Sequence, residues 1–286
     1  MKQKIGVFDS GVGGLTVVRE IQKRLPQLSL IYFGDTARAP YGNRSKEELE
    51  AFGREIISFL LTREAELLVV ACNTSSANVL AELQNASSVP LIGMIEAAVA
   101  LAGRTAPYGK VGLLATQATV QSGAFERAVE VWNDRLQERS ARPKGEASKL
   151  NLVISQACPD FVPLVEAGLA ESPEAYRAAA NYCEALRAAQ VNAVILGCTH
   201  YPFLHKALRA ALPGIMFIDP AQEVALHVEK ALGLPAVPRR ELKKTAFPAT
   251  SRIEYYVSGE VELFCRVGNL FMEGKLKPDC VHQKKW

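Results

Sequence analysis

The sequence predicts an α/β protein built from two similar halves. Short apolar runs that end in small or polar residues alternate with longer helical patterns, which is typical of strand–helix units around a buried parallel sheet. Two pairs of segments are also alike. Residues 4–8 resemble residues 110–114, which lie 106 positions later, and residues 68–74 resemble residues 194–200, which lie 126 positions later. Such a repeat indicates a duplicated unit whose second copy is 20 residues longer.

The individual elements follow in order along the chain. Seven apolar runs are predicted to be strands, at residues 4–8, 28–33, 67–71, 111–115, 152–156, 191–196 and 215–218. Residues 46–61 place apolar side chains at helical spacing, and the alanine-rich residues 173–189 favour a second long helix. The polar, helix-poor stretch 140–148 is the expected place for the extra length of the second copy.

The composition limits the class of protein. With 286 residues, 49% of them hydrophobic, the chain is long enough to bury a core in one large domain or two ordinary ones. Its 33 basic and 30 acidic residues give a net charge of +3, and the basic excess belongs to residues 239–286. Because both signs are mixed there, we expect a solvated surface and no nucleic-acid partner.

No targeting or membrane segment is predicted. The basic N-terminus is followed by an apolar run too short for a secretory signal, and the longest apolar stretch, residues 91–103, contains Glu96. The six cysteines form no C-x-x-C pair and are too few for a disulfide scaffold. We therefore expect a reduced, cytoplasmic protein without membrane contact, in which a thiol can act as a reagent.

Two cysteines follow predicted strands at equivalent places of the repeat. Cys72 precedes a run of N-capping residues, and Cys198 lies four residues before Pro202, which suits a first helical turn. Ligands of parallel sheets bind at the carboxyl ends of strands, where a helix N-terminus lowers the pKa of a thiol. A buried cysteine is often only a packing residue. The matched pair favours the alternative, in which the two thiols act as base and acid.

Asp9 and His200 lie at the same predicted strand ends. Asp9 directly follows the first strand, where it either bonds the turn at residues 10–14 or carries a proton. His200 is either a satisfied histidine at a helix start or a proton carrier for Cys198. A thiol that moves protons near neutral pH gains from such a neighbour, so we interpret both as helpers. The cysteines without a matched partner are expected only to pack, and they are Cys158, Cys183, Cys265 and Cys280.

A glycine-rich turn after the first strand resembles a dinucleotide-binding loop. Its glycines are Gly11, Gly13 and Gly14. Asp35 lies near the position expected for the acid of such a site, but Thr16 stands where the third glycine would be. Nicotinamide binding is therefore disfavoured. The amides of this turn are still suited to a carboxylate.

Metal and covalent chemistry fit less well than proton transfer. Cys198, His200 and His205 lie close together, but the four histidines and six cysteines show no zinc spacing, so no metal site is expected. A covalent enzyme that uses Cys198 and His200 would leave the matched Cys72 without a purpose.

Four segments resemble the cofactor-independent aspartate/glutamate racemase superfamily. They are residues 8–15 (FDSGVGGL), 39–44 (APYGNR), 71–75 (ACNTS) and 197–202 (GCTHYP), in the family's order. The first two are similar to the branch that acts on glutamate rather than to the aspartate or hydantoin branches. The resemblance implies two parallel-sheet α/β domains in a pseudo-twofold relation, with the active site in the cleft between them. The implied domains are residues 1–97 with 213–286, and residues 98–212.

The resemblance also implies the roles of individual residues. Cys72 and Cys198 become the catalytic pair on either side of the substrate Cα. Asp9 and His200 become their helpers, and Glu166 matches a further catalytic carboxylate of the family pattern. The implied substrate contacts are Asp9, Ser10, Tyr41, Gly42, Asn73, Thr74, Thr199 and His200.

The implied activity is interconversion of L- and D-glutamate without a cofactor, which supplies D-glutamate for peptidoglycan synthesis, and the implied assembly is a homodimer. Two alternatives stay open. One is a racemase of aspartate or a related small acid, and the other is a non-catalytic protein that binds an anion or interacts with DNA gyrase. An extension at residues 139–149 and the tail from residue 239 depart from the family pattern, so their roles stay open.

Overall fold

The computed structural model describes residues 3–106, 109–139, 149–235, 252–272 and 274–286. The chain divides into two compact units, Met1–Met94 with Ala221–Trp286 (unit 1) and Ile95–Pro220 (unit 2). Within the described ranges, no helix has both the length and the apolar character needed to cross a membrane. Residues 140–148 of the predicted extension and residues 236–251 around the start of the tail lie outside these ranges.

The elements of the described chain alternate as the sequence predicts. The strands are β1 (Lys4–Asp9), β2 (Ser29–Gly34), β3 (Leu67–Val70), β4 (Leu91–Ile92), β5 (Lys110–Ala115), β6 (Asn151–Ala157), β7 (Ala193–Gly197), β8 (Met216–Ile218), β9 (Arg252–Val257) and β10 (Val281–Gln283). The α-helices are α1 (Leu15–Arg24), α2 (Lys46–Thr62), α3 (Asn73–Asn78), α4 (Leu80–Ala86), α5 (Ile95–Thr105), α6 (Gln117–Gln121), α7 (Ala124–Arg139), α8 (Phe161–Glu166), α9 (Pro173–Tyr182), α10 (Glu184–Ala188), α11 (His205–Ala211), α12 (Ala221–Ala231) and α13 (Val261–Met272).

Each unit contains one parallel sheet. The sheet of unit 1 has the strand order β10-β9-β2-β1-β3-β4. The sheet of unit 2 has the order β6-β5-β7-β8. The central strands β3 and β7 are buried at every residue, which explains why they are continuous apolar runs rather than alternating patterns.

The predicted duplication is confirmed by strand order and by register. The order β2-β1-β3-β4 of unit 1 recurs as β6-β5-β7-β8 in unit 2. Ile5 pairs with Leu67 in unit 1, and the residues 106 and 126 positions later, Val111 and Ala193, pair in unit 2. The register of β3 with β4 likewise recurs between β7 and β8. Both halves therefore align their strand ends in the same way.

The extra length of the second copy falls mainly between its first two strands. β1 and β2 begin 25 residues apart, whereas β5 and β6 begin 41 residues apart. This interval holds 16 of the 20 additional residues. It includes residues 140–148, the predicted place of the extension, which the structure does not describe.

The division into units differs from the implied domain boundaries for a topological reason. α5 follows β4 and packs against α7 in unit 2, whereas α12 follows β8 and packs against α1 in unit 1. The helix after each four-strand half is thus assigned to the other unit. The units change at residues 94/95 and 220/221 rather than at 97/98 and 212/213, since β8 pairs with β7.

The seven predicted strands are all present, but three further strands and one helix break were missed. β4 has only two residues, and β9 and β10 lie in the tail whose role the sequence left open. The long helix predicted at 173–189 is divided into α9 and α10 at Cys183. In contrast, α2 begins with a capping box in which Ser45 and Glu48 bond each other's backbone N–H, so its start follows the sequence closely.

Packing of α5 against α7 gives a test of unit 2. A Cβ added at Gly103 would lie 2.3 Å from Trp132 Nε1 and 2.4 Å from Cε2 of the same ring. Alanine favours a helix over glycine by about 0.5–1 kcal/mol. The clash outweighs this gain, so we expect Gly103→Ala to lower the free energy of unfolding of unit 2 by about 1–3 kcal/mol.

Trp132 itself provides the measurement. The chain has two tryptophans, so in a Trp286→Phe background Trp132 fluorescence reports urea unfolding of unit 2 alone. Thr105→Ala on the same helix is the control and should change the stability by less than about 0.5 kcal/mol. A Gly103→Ala variant as stable as its background would contradict the packing described.

Candidate functional site

The two matched cysteines both lie at the carboxyl edge of a sheet. Cys72 is the N-cap residue of α3, two residues after β3, and Cys198 directly follows β7. Their exposed fractions are 4% and 7%. Both occupy equivalent positions of the repeat, and both remain thiols. The structure thus places each cysteine where a strand ends and a helical turn begins, as the sequence predicts.

The carboxylate of Asp9 is anchored by the glycine-rich turn. Asp9 is the last residue of β1 and is buried, and its Oδ2 accepts hydrogen bonds from the backbone N–H of Gly11 at 3.3 Å and of Gly14 at 3.0 Å. A Cβ at Gly14 would lie 2.6 Å from Asp9 Cβ and 2.9 Å from the Tyr32 hydroxyl. The glycine is therefore needed for close packing, and Asp9 occupies amides that a dinucleotide phosphate would use.

Tyr41 is the buried residue of the turn that carries the APYG motif. It lies with Gly42 in a 3-10 turn, Tyr41–Asn43, and its hydroxyl donates to Asp35 Oδ2. Tyr41 and Cys72 belong to one cluster of buried apolar residues. Burial raises the pKa of Tyr41 well above its ordinary value, and the negative charges of Asp35 and Cys72 add to this, so the phenol stays protonated.

Asn73 presents a buried polar group at the start of α3. Among the described residues, neither its side-chain oxygen nor its nitrogen has a hydrogen-bond partner. Its exposed fraction is 3%, equal to that of Thr74, and Ser10 at the neighbouring strand end is also buried. Buried amides in native proteins nearly always have partners. An Asn73 amide without one is suited to a polar ligand at this strand end.

Cys198, His200 and Glu166 form a chain of contacts in unit 2. Cys198 Sγ lies 3.7 Å from His200 Nδ1, and His200 Nε2 lies 2.7 Å from Glu166 Oε1. His200 is 2% exposed, whereas the Glu166 side chain is 28% exposed at the end of α8. Thr199, between the cysteine and the histidine, is also buried. The structure thus brings together the three residues that the resemblance assigned to this half.

The surroundings of His200 favour its charged form. Burial by itself lowers the pKa of an imidazole, but the hydrogen bonds and charges of Cys198 and Glu166 outweigh it and raise the pKa of His200 well above its ordinary value. A protonated ring donates from both nitrogens, one toward the sulfur and one toward the carboxylate. This geometry can hold a thiolate at Cys198 and can hand it a proton.

The four remaining cysteines comprise three buried thiols and one exposed thiol. Burial raises the pKa of Cys158 above the range of a reactive thiol, and that of Cys183 to about 11. Cys265 is also buried with a raised pKa. These three agree with a packing role. Cys280 does not, because its side chain is exposed in the short turn Pro278–Cys280.

Sequence reasoning missed the polar groups around Asp35. The sequence pattern presents Asp35 only as the acid of a dinucleotide site, whereas in the structure its carboxylate accepts from Arg38 Nε and from Ser258 Oγ, each at 2.7 Å. The signal was present in part, since Asp35 precedes the APYG motif by a few residues. Ser258, 223 residues away, gave no signal because only the pairing of β9 with β2 brings it there.

The His200–Glu166 contact leads to a test of electrostatics. We expect Glu166→Gln to lower the pKa of His200, because the imidazolium loses its charged acceptor. A folded-state pKa raised above the unfolded value stabilises the protein at low pH, and this contribution is lost as the pH rises through the raised pKa. In Glu166→Gln the stability contributed by protonated His200 should be lost at a lower pH than in the unchanged protein.

Side-chain nitrogen NMR of His200 over a pH series measures this shift directly. Glu171→Gln is the matched control, because Glu171 also lies in unit 2 and pairs with Lys206 rather than with a histidine. An unchanged His200 titration in Glu166→Gln would exclude the assigned role of the carboxylate.

Comparison with known proteins agrees with this arrangement. The sequence model of the family described as Asp/Glu/Hydantoin racemase matches residues 5–228. A protein of Desulforudis audaxviator named glutamate racemase is 40% identical over 97% of this chain and 96% of its own length. The crystal structure of glutamate racemase from Thermus thermophilus in complex with beta-chloro-D-alanine aligns with a TM-score of 0.77 at 38% identity, covering 99% of this chain and 97% of that one.

A second solved structure, glutamate racemase from Francisella tularensis in complex with D-glutamate, aligns with a TM-score of 0.79 at 29% identity, covering 100% of this chain and 97% of that chain. These alignments run through both units, including the strand ends that carry Cys72 and Cys198. The family match alone spans well over half of the chain. The chain therefore belongs to the Asp/Glu/Hydantoin racemase family.

Proposed function

We propose that this chain racemises glutamate by a two-base reaction in which Cys72 and Cys198 alternate as base and acid. The observation that carries the proposal is the matched pair of buried thiols, each following the strand that pairs with the first strand of its repeat. Near full-length relatives named glutamate racemase support glutamate as the substrate. No cofactor is part of the proposed chemistry.

The reaction removes and returns one proton at Cα. A thiolate at one cysteine forms an S–H bond as the Cα–H bond breaks, and the electron pair stays on Cα and its carboxylate. The thiol of the other cysteine then protonates the opposite face, which inverts the configuration. Each turnover exchanges the protonation states of the two thiols, so both enantiomers are substrates. The proposal requires that one substrate Cα be within reach of both thiols.

Asp9, His200 and Glu166 assist the proton transfers in this proposal. His200, kept protonated by its raised pKa, stabilises the thiolate of Cys198 and returns a proton to it. Glu166 fixes the ring so that Nδ1 is directed toward the sulfur. Asp9 assists Cys72 from the end of the adjacent strand, with one carboxylate oxygen fixed by backbone amides.

The charged groups of glutamate are proposed to bind the polar residues at the two strand ends. The buried Asn73 amide supports this, because a ligand that pairs with it removes the cost of an unsatisfied polar group. Donors that face the carboxylate also stabilise the charge that develops during proton removal. The other proposed contacts are Asp9, Ser10, Tyr41, Gly42, Thr74, Thr199 and His200.

We further propose the setting of this reaction. D-Glutamate made here would enter peptidoglycan synthesis, and so cell-wall formation and cell shape. A reducing cytoplasm suits a mechanism that depends on two thiols. The proposed assembly is a homodimer, with neither nucleic acid nor membrane as a partner.

Conversion of glutamate in deuterated water tests the reaction. Purified protein without pyridoxal phosphate or nicotinamide should convert either enantiomer, with deuterium entering Cα of the product, because the returned proton comes from a solvent-exchanged thiol. Circular dichroism follows the conversion and mass spectrometry the label. Aspartate should react at least about tenfold more slowly, since one methylene of mismatch is worth roughly that factor. A requirement for added cofactor, or product without label, would refute the mechanism.

Single cysteine variants test the two bases. Cys72→Ser and Cys198→Ser should each lower kcat by about 10²–10⁴, the usual contribution of a positioned acid or base. Each variant should still exchange the Cα proton of the one enantiomer that its remaining thiol faces. Cys280→Ser, which changes an exposed cysteine, is the control and should keep full activity. Full racemisation by either of the first two variants would remove that cysteine from its role.

A further inference from the structure

Asp35 carries a buried carboxylate that the proposed reaction does not use. It directly follows β2 and has an exposed fraction of 0%. Its Oδ1 accepts from Ser258 Oγ at 2.7 Å, and its Oδ2 accepts from Arg38 Nε at 2.7 Å and from the Tyr41 hydroxyl. A charge at this depth is stable only where it is paired and hydrogen-bonded. All three partners therefore have a defined position relative to this carboxylate.

The same residues shape the turn that carries Tyr41 and Gly42. Arg38 bonds Asp35 on one side and Glu55 of α2 on the other, and its guanidinium lies 4.1 Å from the centre of the Phe52 ring. Arg44, just beyond the turn, donates from Nη2 to the Arg38 carbonyl at 3.1 Å. Arg38 and Arg44, which flank the turn, are thus linked by a hydrogen bond, and Asp35 accepts from both Arg38 and the Tyr41 hydroxyl.

Residues of the C-terminal segment form hydrogen bonds with residues 35–37, which precede the turn. Ser258, directly after β9, accepts from the Ala37 N–H at 2.9 Å while it donates to Asp35. The Gly259 N–H donates to Thr36 Oγ1 at 3.0 Å, and a Cβ at Gly259 would lie 2.6 Å from that oxygen. Two residues of the C-terminal segment therefore fix residues 35–37 from outside the turn.

The fold itself does not require a carboxylate at this position. Asp35 donates its backbone N–H to the Asp9 carbonyl at 2.9 Å. In unit 2 the residue after β6, Cys158, donates its N–H to the carbonyl of Ala115, the counterpart of Asp9, also at 2.9 Å. In unit 2 the same backbone hydrogen bond is thus made by a residue whose side chain is buried and uncharged. The charge of Asp35 must serve its side-chain partners.

We propose that Asp35 is a positioning residue that fixes Tyr41 and its turn for substrate binding, and that Ser258 of the C-terminal segment holds Asp35 for this purpose. This inference rests on the proposed function, in which Tyr41 and Gly42 contact the substrate. It assigns the C-terminal segment a role at the site. It also explains why a buried aspartate precedes the APYG turn by only a few residues.

Steady-state kinetics with D-glutamate test the proposal. Asp35→Asn keeps the shape but loses the charge, and we expect it to raise KM about tenfold, the usual effect of losing a hydrogen bond to a charged group. We expect kcat to change by less than about threefold, because the group acts on binding. Tyr41→Phe should raise KM similarly, and Asp35→Asn should then add nothing further, since it acts through Tyr41.

Glu229→Gln is the matched control. Glu229 is another buried carboxylate of unit 1, paired with Arg24 on α1, so its loss lowers stability but should leave KM unchanged. If Asp35→Asn does not fold, Ser258→Ala takes its place. We expect Ser258→Ala to raise KM by a smaller factor, and to cause no further rise when it is added to Tyr41→Phe.

Two results would overturn the proposal. One is a folded Asp35→Asn variant, or a Ser258→Ala variant used in its place, whose KM equals that of the unchanged protein. The other is a rise in KM of equal size in the presence and absence of the Tyr41 hydroxyl. The unchanged protein runs in the same assay, so failure of the proposed function would show there as absence of glutamate turnover, separately from either result.

Discussion

The pairing of two adjacent buried parallel strands is the constraint on which each strand-end site depends. Phe8 pairs with Val70 in unit 1, and Leu114 pairs with Leu196 in unit 2, so the first strand of each repeat and the cysteine-bearing strand end together in both. A slip of one residue would turn buried side chains to the opposite face and move a strand end by about 3.3 Å. Packing of the core therefore sets where each thiol lies.

On this shared scaffold the two units carry different ionisable neighbours. Thr74 takes the place in unit 1 that His200 has in unit 2, and Ala115 takes the place in unit 2 that Asp9 has in unit 1. At these strand ends unit 1 has a carboxylate held by backbone amides, and unit 2 has an imidazole paired with Glu166. In the proposed two-base reaction, each thiol thus has a proton-carrying neighbour of a different chemical kind.

Local sequence patterns predicted the strands and the polar residues that directly follow them. The strands were found because each buried strand is a continuous apolar run, and Asp9, Cys72 and Cys198 were found because they follow such runs. Contacts between segments that are distant in the sequence were not predicted. Glu166 reaches His200 from 34 residues away, and only the family resemblance had drawn attention to it. The helix break at Cys183 was hidden in an alanine-rich run that favours helix throughout.

The clearest omission, the surroundings of Asp35, follows from the position of the tail in unit 1. β9 pairs with β2, the strand that Asp35 follows, so β2 is not an edge strand. In the described part of unit 2 the counterpart β6 is the outermost strand, and the residue that follows it is the uncharged Cys158. A carboxylate buried between strands needs donors from the protein in place of water. β9 ends where Ser258 supplies one. The added strand thus makes a buried charge tolerable next to the APYG turn.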